Sequence, residues 1–278
     1  STITVTNSTV SGNSSRRNGG GLYSSNGAIT ITNSTVSGNS SNRFAGGIWS
    51  RNRSVTLENS TVSGNSARSS VGGVYSRDIT VTNSMVSGNL SGDRGGGLYA
   101  TGSLTITNST VSGNSAANRG GGAYHRNNAT ITNSTISGNS SNRGGGIYSR
   151  GGGTVTLTNS TVSGNSAANR GGGIVMRNNG GGNLVLSNAT IAFNTAGTNG
   201  GGIFLNTTRN NAISNSLIAS NVAGGSGPDI SGNLANSTIT HSLIQDTTGI
   251  TAGAPTNGVD GNIVGQDPLL APLADNGG

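Results

Sequence analysis

The residues of this sequence that could perform acid–base chemistry are few and lie far apart. The repetitive part of the chain contains only three carboxylates, Glu58, Asp78 and Asp93. Glycoside hydrolysis uses two carboxyl groups about 5–10 Å apart, and these three do not occupy equivalent or neighbouring positions of the repeat. Two aspartates near the C-terminus, Asp229 and Asp267, adjoin prolines and are predicted to be turn residues. We therefore predict no catalytic residues and no enzymatic activity.

Metal and cofactor sites are not predicted either. The chain has no cysteine. Its two histidines, His125 and His241, are far apart in the sequence, and no residue near them suggests a third metal ligand. Runs such as Arg170-Gly171-Gly172-Gly173 resemble phosphate-binding loops, but those precede a helix, and no helical period is present. Calcium binding in the C-terminal segment remains a weak alternative, because residues 210–278 contain five aspartates.

Arginine and aromatic residues recur at fixed places and could bind an anion. All 15 cationic side chains are arginine, and residues 1–209 carry a net charge of +12 whereas residues 210–278 carry −5. One arginine precedes each glycine pair, and an aromatic residue follows it, so both would form columns if the repeats stacked. Such columns are predicted either to bind a polyanion or partner, or only to keep the surface solvated and the stack stable. The candidate residues are Arg43, Arg68, Arg94, Arg119, Arg143, Arg170, Tyr75, Tyr99, Tyr124 and Tyr148.

A repeated segment must position these residues. Nine copies of a motif close to Asn-Ser-Thr-Val-Ser-Gly-Asn follow one another at intervals of 24 to 29 residues, a spacing typical of solenoids. Within a copy, apolar residues alternate with threonine, as in Val155-Thr156-Leu157-Thr158, which predicts a half-buried strand. We predict an all-β, right-handed, single-stranded parallel β-helix with three short strands per coil and about nine to ten coils.

The two asparagines of each motif are predicted to form structural ladders. Asparagine tolerates the left-handed backbone of a sharp bend, and stacked inward amides can satisfy one another's hydrogen bonds. The same prediction argues against glycosylation of the Asn-Ser-Thr sequons, since an acceptor must be exposed. The predicted ladder residues are Asn33, Asn59, Asn83, Asn108, Asn133 and Asn159 in one column and Asn39, Asn65, Asn89, Asn114, Asn139 and Asn165 in the other.

The repeats weaken towards the C-terminus, where all four prolines lie after residue 222. We predict a β-helix array over residues 1–222 and an irregular capping segment over 223–278. No stretch approaches 18 apolar residues, so no membrane insertion is predicted. Since the chain begins at Ser1 within a strand pattern, we expect a mature product or a fragment.

The repeats resemble those of bacterial pectin-lyase-like right-handed β-helices with polymorphic-outer-membrane-protein type repeats. The Gly-Gly-aliphatic-aromatic and Ser-Thr-Val-Ser-Gly-Asn segments carry this resemblance across roughly residues 1–222. The C-terminal segment, with Gly227-Pro228-Asp229 and Asp267-Pro268-Leu269-Leu270, resembles the end of choice-of-anchor type surface proteins. The resemblance implies an extracellular or cell-surface location in bacteria and a scaffold or adhesive role, without implying an activity.

These observations favour a non-catalytic extracellular structural or adhesive protein, such as a surface scaffold, an adhesin stalk or a fibre subunit. The basic array and acidic C-terminal segment suggest head-to-tail association with further copies. The alternative is a module that binds carbohydrate or polyanion, with acidic polysaccharide favoured over nucleic acid, or a pectinolytic-like enzyme. A remote alternative is ice binding, because Thr-x-Thr pairs recur in nearly every coil, although Glu58 interrupts them.

Overall fold

The chain folds as a parallel β-helix in which each coil contributes short strands to four sheets. The computed structural model describes residues 2–177, 182–206 and 208–271. Each strand pairs in parallel with the equivalent strands of neighbouring coils. The fold class and the number of coils are therefore as predicted, but the prediction of three strands per coil is wrong.

The additional strand in each coil forms the third sheet, directly after the second asparagine. The Ser40 N–H donates to the Asn13 carbonyl, and the Ser66 N–H donates to the Asn39 carbonyl. These hydrogen bonds join main-chain atoms, so the strand forms even where its side chains differ between coils. Its side-chain sequence consequently carries no strand pattern that alternation could reveal.

The four sheets follow one another in chain order. The first comprises Ile3–Thr6, Ile29–Thr32, Ser54–Glu58, Asp78–Thr82, Leu104–Thr107, Ala129–Thr132, Val155–Thr158, Leu184–Ser187, Ala212–Ser214 and Thr238–Thr240. The second comprises Thr9–Ser11, Thr35–Ser37, Thr61–Ser63, Met85–Ser87, Thr110–Ser112, Thr135–Ser137, Thr161–Ser163, Thr190–Ala192, Leu217–Ala219, Leu243–Ile244 and Ile263–Val264. The third comprises Ser14–Ser15, Ser40–Ser41, Ser66–Ala67, Leu90–Ser91, Ser115–Arg119, Ser140–Arg143, Ser166–Arg170, Thr195–Ala196 and Val222–Ala223. The fourth comprises Leu22–Ser24, Ile48–Ser50, Val74–Ser76, Leu98–Ala100, Ala123–His125, Ile147–Ser149, Ile174–Met176, Ile203–Leu205, Ile230–Asn233 and Ile250–Ala252.

One continuous apolar core runs along the inside of the coils. In the first sheet Val155 and Leu157 are buried and Thr156 and Thr158 are half-buried on the outside, as the alternation predicts. Each coil buries only a few aliphatic side chains, and each of these contributes roughly 1.5–3 kcal/mol when fully buried. A chain with 30% hydrophobic residues can therefore fold by extending a thin core along one axis.

The second asparagine of each motif forms the predicted inward ladder. The Asn114 N–H and side-chain amide both donate to Oδ1 of Asn139, each at 2.9 Å. The Asn139 amide in turn donates to Oδ1 of Asn165 at 2.9 Å and to the Val111 carbonyl at 2.9 Å. Every polar atom of these buried amides is thus paired, which a buried polar group requires.

The first asparagine does not point inward, and the prediction of a second inward asparagine ladder is wrong. Asn133 has φ 49° and an exposed side chain, because its left-handed backbone turns the corner and places the next residue inside. That next residue is Ser134, whose hydroxyl accepts from the Ser109 N–H at 3.1 Å and donates to the Thr132 carbonyl at 2.7 Å. An inward serine ladder therefore replaces the predicted asparagine one.

The sequon asparagines lie on this exposed corner. Asn133 and Asn159 donate to the side chains of Asn108 and Asn133 one coil earlier, each at 3.2 Å, so part of the column is hydrogen-bonded on the outside. The argument that these residues are buried and hence not glycosylated therefore fails, because their side chains are exposed.

The segment after residue 222 is more regular than predicted. Strands of this segment extend three of the four sheets, and a short 3₁₀ turn covers Val259–Gly261. The domain boundary near residue 222 stays a prediction. Within the described ranges, no helix is long and apolar enough to cross a membrane.

Candidate functional site

An aromatic column lies on the outside of the fourth sheet. The central residues of its strands stack in register, and they are Tyr23, Trp49, Tyr75, Tyr99, Tyr124, Tyr148, Val175 and Phe204. Neighbouring ring centroids are 4.5 Å apart for Tyr99 and Tyr124 and 5.5 Å apart for Tyr124 and Tyr148. Such pairs contribute about 0.5–1.5 kcal/mol each.

The middle of this column is a second small core and not an open platform. Tyr124 and Tyr148 have no exposed surface, Tyr99 is 6% exposed, and Tyr75 is half-buried. Burial raises the pKa of Tyr99, so its phenol is neutral at physiological pH. The buried tyrosines therefore cannot form the predicted sugar-binding platform. Their role is to stabilise the coils by stacking.

Arginines that directly precede the glycine pairs, three of them at the ends of third-sheet strands, lie beside this column. Arg94, Arg119, Arg143 and Arg170 are directly in register on four successive coils. At the spacing of about 4.8 Å between coils, like charges repel by about 1 kcal/mol per neighbouring pair in water. A column of this kind gains from an anion that would neutralise it.

The predicted arginine column is shorter than the sequence suggested, since Arg43 and Arg68 do not belong to it. Phe44 and Ser70 occupy the equivalent positions in their coils, and both arginines are exposed. The reason is loop length. The register is fixed by the corner residue with positive φ. Arg94 immediately precedes its corner residue, whereas one residue separates Arg43 from its corner residue and two residues separate Arg68 from its own.

The arginines cover the rings in a repeating pattern. The guanidinium carbon of Arg94 lies 5.8 Å from the ring centroid of Tyr124, one coil later. Arg119 lies 5.6 Å from Tyr148 in the same relation, and Arg170 lies 5.1 Å from Phe204. Cation–π contacts of this type contribute about 0.5–2 kcal/mol, so the arginine column is held against the aromatic column.

A second arginine column follows the aromatic residues. The Arg150 N–H donates to the His125 carbonyl and the Arg177 N–H to the Ser149 carbonyl, so Arg126, Arg150 and Arg177 succeed one another on adjacent coils. All three side chains are exposed. We call the two columns, with the tyrosines between them, the arginine–tyrosine face: Arg94, Arg119, Arg143, Arg170, Arg126, Arg150, Arg177, Tyr99, Tyr124 and Tyr148.

This face is strongly positive. Among the residues with described positions, Asp93 is the one carboxylate that pairs with an arginine of the face, at 3.2 Å from Nε of Arg94. The other acidic residue in an ion pair, Asp78, pairs with Arg77 at 3.6 Å. Six arginines of the face thus lack an acidic partner in the described part of the chain, and their charge is available to a ligand.

A cavity interrupts the arginine–tyrosine face where Val175 replaces an aromatic ring. Its volume is about 180 Å³. The described residues that line it are Arg143, Tyr148, Arg170, Val175, Arg177, Phe204 and Asn206. It therefore combines two rings and three positive charges in one small space.

The structure brings two C-terminal carboxylates together, which the sequence did not predict. Asp229 is buried, and its oxygens accept from the Asn221 side-chain amide at 2.8 Å and from the Asp246 N–H at 2.8 Å. Burial, with a smaller contribution from the charge of Asp246, raises the pKa of Asp229 to about 6 against the opposing effect of these hydrogen bonds. Asp229 therefore ends the asparagine ladder and is not the simple turn residue predicted; no repeat motif in the sequence marked that role.

The two histidines lie in different settings, one in the interior and one at a corner of a coil. His125 is fully buried, its Nδ1 lies 2.7 Å from the Asn127 carbonyl, and burial lowers its pKa to about 4. His241 has φ 48° and takes the corner position of the first asparagine. No group of three potential metal-ligating side chains occurs among the residues that the structure describes. The prediction of calcium in the C-terminal segment gains no support from these residues and stays a weak one.

The outward threonines of the first sheet are stacked in two columns. Thr30, Thr56 and Thr80 follow one another in register, and Glu58 lies between Thr32 and Thr82 in the neighbouring column. The Thr-x-Thr array of the ice-binding hypothesis therefore exists geometrically, with a charged residue inside it.

Comparison with known proteins identifies one family. The sequence matches the family described as right handed beta helix region over residues 1–142 and, in a second overlapping match, over residues 97–264. No curated protein and no solved structure matches the chain.

Proposed function

We propose that this chain, which belongs to the right-handed β-helix family, is a non-catalytic extracellular scaffold that binds acidic polysaccharide along its arginine–tyrosine face. The observation that carries the proposal is the pair of arginine columns, among which the described part of the chain places a single carboxylate, Asp93. A linear polyanion presents charges at a regular spacing, and a solenoid presents arginines at a regular spacing, so one strand can contact several coils at once.

The buried tyrosines support this proposal by fixing the arginines. A free arginine side chain loses about 2 kcal/mol of rotamer entropy when it is immobilised. Arg94, Arg119 and Arg126 already lie over rings, at 5.6–5.9 Å, so part of this cost is met before a ligand binds. Preorganisation of this kind increases affinity without adding contacts.

An extracellular location and an adhesive role are part of the proposal and rest on sequence resemblance. The repeats resemble polymorphic-outer-membrane-protein type repeats of pectin-lyase-like β-helices, and the C-terminal segment resembles choice-of-anchor type surface proteins. Acidic polysaccharides are polyanions that a protein at a bacterial cell surface would meet, which favours them over nucleic acid.

Retention on a heparin column at increasing salt tests the proposal. The variant with Arg119, Arg143 and Arg150 each changed to Gln should elute at clearly lower salt than the native protein, because fewer counterions are released on binding. The matched control changes Arg16, Arg17 and Arg53 to Gln, which removes the same charge from exposed positions outside the face. An equal loss in both variants would show that only net charge matters, and no retention of the native protein at low salt would reject the proposal.

A further inference from the structure

The third sheet ends before the two sheets that flank it. Its last strand is Val222–Ala223. On one side of it the second sheet continues with Leu243–Ile244, and on the other side the fourth sheet continues with Ile250–Ala252. In the described part of the chain, one edge of the strand Val222–Ala223 therefore has no neighbouring strand.

The last coil is too short to build the missing strand. In the two preceding coils, ten residues link the second sheet to the fourth, namely 193–202 and 220–229, and each link contains a strand of the third sheet. In the last coil the link consists of the five residues 245–249. The Ile250 N–H donates to the Thr247 carbonyl at 3.0 Å, so this link makes a turn and passes directly to the fourth sheet.

The open edge carries two carbonyl groups without the hydrogen bonds that their counterparts make. One coil earlier, the carbonyl of the ladder residue Asn194 accepts from the Val222 N–H at 2.8 Å. The equivalent acceptors on the open edge are the carbonyls of Asn221 and, two residues later, Ala223. Neither accepts a hydrogen bond from a described residue. Unpaired groups at a sheet edge are a template for a strand from another chain.

A groove of about 570 Å³ lies over this edge. Val222 and Ala223 form part of its wall, and Asp229, Gln245 and Asp246 lie beside them. Val222 is 59% exposed, so an incoming chain can reach the edge. The volume lies within the range of about 300–1,000 Å³ that is typical of binding clefts, which is enough for a short extended segment.

The charge of the groove favours a basic segment. Asp229 and Asp246 both line it, and the Asp246 N–H donates to a carboxyl oxygen of Asp229 at 2.8 Å. No arginine or histidine is among its described lining residues, and neither aspartate forms an ion pair within the described ranges. We propose that this groove binds an extended, basic segment of a partner protein, which adds to the third sheet as a further parallel strand.

In the proposed complex the segment repeats the hydrogen bonds of the preceding coils. One of its N–H groups donates to the Asn221 carbonyl, and the N–H two residues later donates to the Ala223 carbonyl. The residue just before the first of these donors takes the place of a ladder asparagine, which points inward, and the side chain of Asn221 already contacts Asp229 there. A basic side chain at this place meets the two carboxyl groups. The groove shares no residue with the arginine–tyrosine face, so this site is independent of polysaccharide binding.

Titration of the ¹⁵N-labelled protein with three peptides tests the site. The peptide acetyl-Ser-Arg-Val-Ala-Ser-amide should bind with a dissociation constant on the order of 1 mM and shift the amide signals of Val222, Ala223 and Gly224. The same peptide with N-methyl groups on Val and on the last Ser lacks the two donors and should bind at least about tenfold more weakly. The peptide with Gln in place of Arg should bind about fivefold more weakly.

Two substitutions locate the charge that is recognised. Asp246→Asn keeps an oxygen acceptor for the N–H and hydroxyl of Thr248 and should weaken binding of the Arg peptide about fivefold. Asp260→Asn is the matched control, because it removes the same charge from an exposed residue of the same segment that does not line the groove. It should change the dissociation constant by less than about twofold.

Absence of binding at about 5 mM peptide, or equal binding of the N-methylated peptide, would overturn the proposal, since no strand would then be added. Equal binding of the Gln peptide would overturn it as well, because the groove would then not select a basic segment. The same conclusion would follow if Asp246→Asn and Asp260→Asn had equal effects.

Discussion

The two asparagines of each repeat have opposite environments although their sequence contexts are equally regular. Asn139 is fully buried, and its side chain makes hydrogen bonds to three residues in neighbouring coils. Asn133 is exposed at a left-handed corner, with φ 49°. The inner residue thus fixes one coil to the next, whereas the outer residue mainly supplies a backbone conformation.

Substitution of these two residues should therefore differ in effect. Asn139→Ala leaves two donors of Asn114 unpaired inside the core and should cost about 3–5 kcal/mol, because each unpaired buried group costs about 1–3 kcal/mol. Asn133→Gly keeps the left-handed corner and should change the free energy of unfolding by less than about 1 kcal/mol. Urea unfolding followed by circular dichroism measures both, and similar losses in the two variants would contradict the assignment of roles.

Asp229 makes stability depend on pH. Its pKa rises from 3.8 to about 6 on folding, so the folded state binds the proton more tightly than the unfolded chain. The resulting stabilisation is complete below about pH 4 and is lost as the pH rises through 6, on the order of 2–3 kcal/mol in total. His125, whose pKa falls on folding, acts in the opposite direction over an overlapping range.

Comparison with Asp229→Asn separates the two effects, since the amide does not titrate and His125 is unchanged. The free energy of unfolding of the native protein, minus that of the variant, should decrease from pH 4 to pH 7. A difference that stays constant over this range, measured in urea at several pH values, would mean that folding does not raise the pKa of Asp229.

At the scale of the element, the corner before each strand of the fourth sheet needs a left-handed residue. Most coils use glycine there, but Ala45 and Val71 take the position with φ 54° and 64°. Ala45→Gly should stabilise the protein by about 1 kcal/mol, because the left-handed backbone costs alanine roughly that much. Gly120→Ala should destabilise it by more, since an added Cβ would lie 2.5 Å from the Ala123 carbonyl oxygen. Melting temperatures of both variants check this, and shifts of the same sign would contradict it.

The same element scale explains what the sequence could and could not predict. The first, second and fourth sheets are visible in the sequence because their inward and outward residues alternate. The third sheet is not visible in the sequence. Its strands, such as Leu90–Ser91 and Ser115–Arg119, pair through the main chain, and their side chains follow no common pattern. Columns of charge depend on the number of residues before the corner as well as on the repeat, so the prediction that Arg43 and Arg68 share a column with Arg94 is wrong.

At the scale of the whole molecule, charge is divided along the chain. Residues 1–209 carry +12 and residues 210–278 carry −5, and the coil order converts this division into a basic part followed by an acidic end. We predict that copies associate end to end, basic part to acidic end, in low salt. Sedimentation velocity at about 0.02 M and 0.5 M salt, where screening differs several-fold, should show larger species only at low salt. A monomer at high protein concentration under both conditions would reject this prediction.

The asparagine ladder has one direction throughout: each coil donates to the acceptor of the following coil. As far as this ladder is concerned, each of these boundaries between coils is interchangeable with the next one. If recombination between copies deleted or duplicated one complete unit, each donor would still meet an identical acceptor. The number of coils, and with it the length of the β-helix, can therefore change by one coil at a time during evolution. Such a change requires no new contact in the ladder.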